Sequence, residues 1–284
     1  TALLAARPLD LPEGQRPRYA RLLTGLAGGL DEDTADSVLS ALQAWAAYAP
    51  EGSEYVRRAA TDLSRGRGVW HRAIGVVGAL ADSGLPHPVG GAAPGSLLHG
   101  TVTDLLAAVR AGEPDAEADH DLPAFQCLRR LVTMTVSSRP TLAALADLLA
   151  DEPDLLPVRV SALTRALDPY ADLPVFSAGL RALAAALRGH PALAGGTAVA
   201  LRHLHSRNRS RGVQEATVLE AARRLVDGAD GDGLAEGLLA VALLGAFGRS
   251  FHWPEPWRAL LRTLRAHPAA DVRIPAREVV TSLE

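Results

Sequence analysis

Two stretches decide how this chain is built: Arg181-Ala-Leu-Ala-Ala-Ala-Leu187-Arg188-Gly-His190-Pro191-Ala192 and Arg258-Ala-Leu-Leu-Arg-Thr-Leu264-Arg265-Ala-His267-Pro268-Ala269. Eight of twelve positions are identical, and the stretches lie 77 residues apart. Other punctuation repeats at half that distance. Pro12-Glu13-Gly14 returns 38 residues later as Pro50-Glu51-Gly52, and Glu113-Pro114-Asp115 returns 39 later as Glu152-Pro153-Asp154. Pro153 to Pro191 is again 38. The step from Pro88 to Pro114 breaks phase, beside a loop from Asp82 to Gly95 that holds three Pro and four Gly. That loop reads as an exposed connection or a hinge between two halves.

Between the breaks the apolar residues recur at three and four. Leu39, Leu42, Trp45 and Ala46 form one stripe; Leu180, Leu183, Ala184 and Leu187 form another; Leu219, Ala222, Leu225 and Val226 form a third. No run of β-branched residues alternates with polar ones, so the period is helical throughout. The spacing predicts helices near 17–29, 33–48, 53–64, 69–82, 96–111, 122–138, 140–150, 154–167, 173–188, 191–206, 213–227, 232–247, 255–266 and 269–283. Two helices per period of about 40 residues is the pattern of a helical solenoid, in which stacking buries faces that no single pair can bury.

The repeats resemble the HEAT-repeat and armadillo-like family. The second helix of a HEAT repeat often opens with an acid followed by Val-Arg-x-x-Ala. This chain has Val56-Arg-Arg-Ala-Ala60 after Glu54, Val158-Arg-Val-Ser-Ala162 after Asp154, and Val272-Arg-Ile-Pro-Ala276 after Asp271. The resemblance implies an all-α fold, a right-handed α-α superhelix of about seven helix pairs. It also implies that Arg159 and Arg273 join a ladder with neighbouring acids. Gly195-Gly196 departs from the motif. The expected organisation is N-terminal repeats over 1–82, an irregular region with one helix over 83–121, and C-terminal repeats over 122–284.

Composition closes many chemistries. All 29 basic residues are Arg, so there is no phosphate-binding or Schiff-base lysine. The single Cys127 excludes an internal disulfide and a multi-cysteine zinc site; a reducing cytoplasm is the expected setting. The apolar start is too short for a signal peptide. Its first residue is Thr1 and Met134 is its only methionine, which reads as a trimmed chain or a piece of a longer one. The longest apolar run, Leu238 to Phe247, is half a membrane span, and a net charge of −3 draws the chain to neither membrane nor nucleic acid. The two dominant apolar residues, Ala and Leu, suit close helix packing. No cofactor, metal or catalytic set is expected.

The candidate binding residues are Arg202, His203, His205, Arg207, Arg209 and Arg211, a segment with no acid. Arg at that density suits an acidic protein surface or, second, nucleic acid phosphates; it also suits a solvated helix C-terminus. His203 and His205 are two apart, so on a helix they diverge and share no metal. Glu113, Asp115, Glu117, Asp119 and Asp121 read as a solvated loop, since no calcium-loop pattern is present. Asp227 to Gly233 reads as a Gly-rich turn with Asp232 as the next helix cap. Trp253-Pro-Glu255-Pro-Trp257 sets an acid between two aromatics, a feature to weigh because a HEAT-like class of glycosylases acts on damaged DNA bases; its plain reading is a helix start with Trp packed as a cap. Cys127, amid apolar neighbours, reads as a buried thiol. The reading that follows is a non-catalytic protein-binding scaffold or sensor module, with a nucleic-acid-binding or base-excising protein as the alternative.

Overall fold

The structure is a computed structural model that describes residues 6–26, 32–63, 67–112, 123–202, 214–228 and 233–281. Among the described residues all regular structure is helical and no strand occurs. The helices are α1 (Arg16–Leu26), α2 (Glu32–Trp45), α3 (Gly52–Thr61), α4 (Arg67–Ala81), α5 (Leu97–Ala111), α6 (Pro123–Arg130), α7 (Arg139–Leu148), α8 (Leu156–Ala166), α9 (Leu173–Leu187), α10 (Pro191–Arg202), α11 (Glu215–Asp227), α12 (Leu234–Phe247), α13 (Glu255–Arg265) and α14 (Ala270–Glu278). The chain divides into two compact units, Thr1–Val158 and Arg159–Glu284.

Within each unit a helix packs on the next and on the next but one. In the first unit α2 packs on α4, α3 on both α4 and α5, and α4 on α6. In the second, α9 packs on α11 and α11 on α13, while α10 packs on α12 and α12 on α14. The sequence dictates which face turns in. In α13, Trp257, Leu260, Leu261 and Leu264 are buried, and Arg258 and Arg262 face water. Helix α12 has almost no polar residue to turn outward, and nearly every side chain from Ala235 to Leu244 is buried. A helix that is apolar all round belongs inside, and the run that is too short to span a membrane is the central helix of the second unit. Among the described residues no helix is long and apolar enough to cross a membrane.

Three features depart from plain helix. The segment expected as helix 122–138 changes to a π turn over Leu131–Thr135, where the Val136 N–H donates to the Leu131 carbonyl at 3.0 Å. Thr135 lies against Gly78 of α4, so the two backbones approach where α4 has no side chain. Helix α14 stops at Glu278, short of the expected 283. Pro275 lacks the N–H that would take a carbonyl one turn back, and the Arg265 guanidinium closes the end by donating to the carbonyls of Ala276 (3.1 Å) and Val279 (2.9 Å). The Gly/Pro-rich loop after α4 lies inside the first unit. Asp82 there accepts from the Ser137 N–H (2.6 Å), the Ser137 hydroxyl (2.8 Å) and the Ser138 N–H (3.0 Å), fixing the start of α7. Ser96 closes the loop as the N-cap of α5, accepting from the His99 N–H at 3.2 Å.

Candidate binding surface

Arg202 is the last residue of α10 and is exposed. His203, His205, Arg207, Arg209 and Arg211 lie outside the described residues, as do Glu113, Asp115, Glu117, Asp119, Asp121, Asp230 and Asp232. The described start of α12 is capped by Gly233, whose φ of 62° is left-handed.

Arg202 opens onto a recess of about 220 Å³ where the C-terminal ends of α10, α12 and α14 meet. Arg249 and Glu278 supply its other charges. Trp253, Gly245, Pro275, Val279 and Val280 supply its apolar lining. Helix C-termini carry partial negative charge, which favours cations there. Among the described residues neither Arg202 nor Arg249 has a side-chain partner. Val280 is 76 % exposed although it is apolar.

The Trp253 wall is held by an unusual backbone. His252 and Trp253 have φ of 57° and 50°, left-handed values that cost bulky residues about 1–3 kcal/mol each. The strain is offset by packing. The indole lies across Gly248, where a Cβ would sit 2.6 Å from the ring atom Cζ2. The Trp253 backbone N–H donates to the Gly248 carbonyl at 3.0 Å, and the ring meets Trp257 edge-on at 6.4 Å.

The acid between these two indoles is not in a pocket. Glu255 is exposed and pairs with Arg262, whose hydrogen bond holds the carboxyl below its usual range. Trp257 is fully buried beside Phe251, and its indole N–H donates to Glu215 at 3.1 Å. The Trp257 ring serves the core and the Trp253 ring walls the recess, while Glu255 points to water with Arg262.

The Val-Arg-x-x-Ala segments behave unequally. Arg57 donates to Glu54 at 2.9 Å and to Asp104 on α5. Arg273, expected to meet an acid, instead donates to the carbonyls of His267 (2.8 Å) and Pro268. Both carbonyls lie in the α13–α14 turn, ahead of the first residue of α14, and they take the guanidinium in place of an acid. Cys127 is buried as expected, and burial pushes its thiol up to about 12. Among the described residues no group of three or more His, Cys, Asp or Glu is placed to hold a metal ion.

A second recess, about 530 Å³, lies in the first unit between the α2–α3 turn and the N-terminus of α5. Glu51, Glu54 and Arg57 line one side and Ser96 the other. The residues that accompany Arg202 were not legible in advance. Arg249, Glu278 and Val280 have no shared motif, and only the stacking of alternate helices brings them together. Comparison of the chain with protein-family models, curated proteins and solved structures finds no match.

Proposed function

We propose that this chain is a non-catalytic protein-binding module, a scaffold or sensor built from HEAT-like repeats that wind as a right-handed superhelix and work in the cytoplasm. Alternate-helix packing within each unit supports the repeat reading. Polar ties also join segments 42 to 48 residues apart: Arg57 to Asp104, 47 residues on, Arg110 to Glu152, 42 on, and Arg188 to Glu236, 48 on. The observation that carries the binding reading is the recess at the end of α10, where Arg202 and Arg249 face outward without partners among the described residues. The sequence continues from Arg202 through Arg207, Arg209 and Arg211 with no acid. Cations so close repel one another unless an acidic surface offsets them, so the expected partner is an acidic protein face bound weakly and with salt sensitivity. The same Arg run is the observation favouring the alternative, nucleic-acid binding.

One experiment separates the two. The full chain and a variant with Arg202, Arg207, Arg209 and Arg211 all changed to Glu are used as affinity baits at low and physiological salt, and labelled duplex DNA is titrated in parallel. A protein retained by the native chain and lost by the variant supports the module reading. DNA binding that weakens steeply with salt supports the alternative. Retention of neither sinks both.

A further inference from the structure

The geometry points to a specific occupant for the α10–α12–α14 recess: an acidic peptide segment of the partner protein, with one apolar side chain seated against Trp253 and Val280 and a neighbouring carboxylate held by Arg202 and Arg249. This inference rests on the protein-binding reading and narrows it to one pocket and one ligand chemistry.

Charge is the first ground. Most guanidiniums of the second unit that stand near an acceptor use it. Arg188 pairs with Glu236, Arg224 with Glu220 and Arg262 with Glu255, while Arg265 and Arg273 take backbone carbonyls. Arg202 and Arg249 have no such partner among the described residues, and they share one concavity. Arg181, Arg223 and Arg277 also lack one, but none of them lines the recess. A guanidinium pair recognises a carboxylate through short charge-assisted hydrogen bonds.

Shape and lining are the second ground. At about 220 Å³ the recess is smaller than the 300–1,000 Å³, roughly, of pockets that take cofactors and other small molecules. It has room for a side chain of a peptide. Its lining joins an indole, Pro275, Val279 and the exposed Val280, an apolar floor beside the cations. The indole is fixed by a strained left-handed pair and by Gly248 beneath it. A preformed wall lowers the ordering cost of binding.

Glu278 is the one acid in the lining and sets the sign of a discriminating test. It repels an acidic peptide, so its removal strengthens binding, whereas loss of Arg249 weakens it. A segment that merely caps helices would show neither response.

The test uses the full chain and two fluorescent probes, a peptide of alternating glutamate and leucine and its glutamine–leucine counterpart, read by fluorescence polarisation. The acidic probe is expected to bind at least about tenfold more tightly than the neutral one, the value of one charge-assisted contact. Arg249→Gln should weaken it about tenfold, Val280→Asp should weaken it as much, and Glu278→Gln should tighten it about threefold. All three positions are exposed, and circular dichroism with urea unfolding verifies that each variant folds. If neither probe binds, or if binding ignores all three substitutions, the pocket is overturned; the broader reading then stands if the affinity bait still retains a protein. Displacement of the acidic probe by duplex DNA at lower concentration overturns the pocket and the protein-binding reading together.

Discussion

Gly75 and Gly78 lie three residues apart on α4 and should respond in opposite ways to the same change. A Cβ at Gly78 would stand 2.6 Å from Thr135 Cβ and 3.0 Å from the Thr135 carbonyl carbon, so the backbone itself must move. Gly78→Ala is expected to destabilise by about 1–3 kcal/mol, the usual cost of overpacking. At Gly75 a Cβ meets nothing within 4 Å. There Ala restricts the unfolded chain and favours helix, so Gly75→Ala should stabilise by about 0.5–1 kcal/mol. Urea unfolding of the two variants beside the native chain checks both signs. Cys127 offers a second measurement. Burial raises its thiol from an ordinary 9.0 to about 12, so the neutral form persists in the folded chain where the unfolded chain would ionise. Its contribution to stability is therefore complete below pH 9 and is lost as pH rises from 9 towards 12. A thiol-reactive disulfide reagent at pH 8 should label Cys127 only at the rate of unfolding, and a burst in the folded chain would show that the thiol is accessible.

Helix-to-helix ties differ in worth according to how much water reaches them. Arg57 of α3 bridges Glu54 of its own helix and Asp104 of α5, and all three side chains keep about a third or more of their surface exposed. Such pairs contribute up to about 1 kcal/mol. Arg57→Gln should cost that much, and a double-mutant cycle with Asp104→Asn should show coupling that fades in high salt. Hydrogen bonding, from Arg57 foremost and then Arg58, holds the Glu54 carboxyl below its ordinary 4.5. Its stabilising part is therefore present above pH 4.5 and disappears as pH falls through the lowered value, so the Arg57→Gln penalty should shrink in acid. The tie between α9 and α12 is another case. Glu236 stands in the first turn of the central helix and is only 3 % exposed, with Arg188 donating to it at 3.0 and 2.9 Å. Arg188→Met leaves a buried carboxylate without its cation, at a cost of roughly 3–5 kcal/mol. The double variant Arg188→Met with Glu236→Gln should recover part of that loss in urea unfolding. Equal stability of the single and double variants would show that Glu236 does not need its partner.

Over the full length, charge and periodicity carry different messages. The 29 Arg nearly balance the 32 acids, so nothing global favours polyanions, and duplex DNA is expected to show no polarisation change at physiological salt. The breaks in the sequence recur near 38 residues, while the long-range side-chain ties span 42 to 48. In each unit the core is the sum of facing stripes: Trp45, Ile74, Leu98, Leu105 and Leu128 in the first, Phe176, Leu183, Leu243, Trp257 and Leu264 in the second. The three stripes read from spacing lie almost wholly inside, with Leu39, Leu42, Trp45, Leu180, Leu183, Ala184, Leu187, Ala222 and Leu225 all buried.

Helix positions were therefore legible from residues alone, because a stripe at 3.6-residue spacing needs only its own neighbours to declare itself. Pro and Gly declare the ends by the same local rule. What stayed hidden depends on residues far apart in the chain. The π turn at Leu131–Thr135 forms where Thr135 meets Gly78, and no local pattern announces it. Arg273 takes the carbonyls of the α13–α14 turn rather than an acid, a choice that the Val-Arg-x-x-Ala motif does not announce. The recess joins Arg202 to Arg249, Glu278 and Val280 through the packing of α10, α12 and α14. Spacing tells which side of a helix is apolar; which distant helix covers that side, and what its end places beside the next, is settled only when the layers pack.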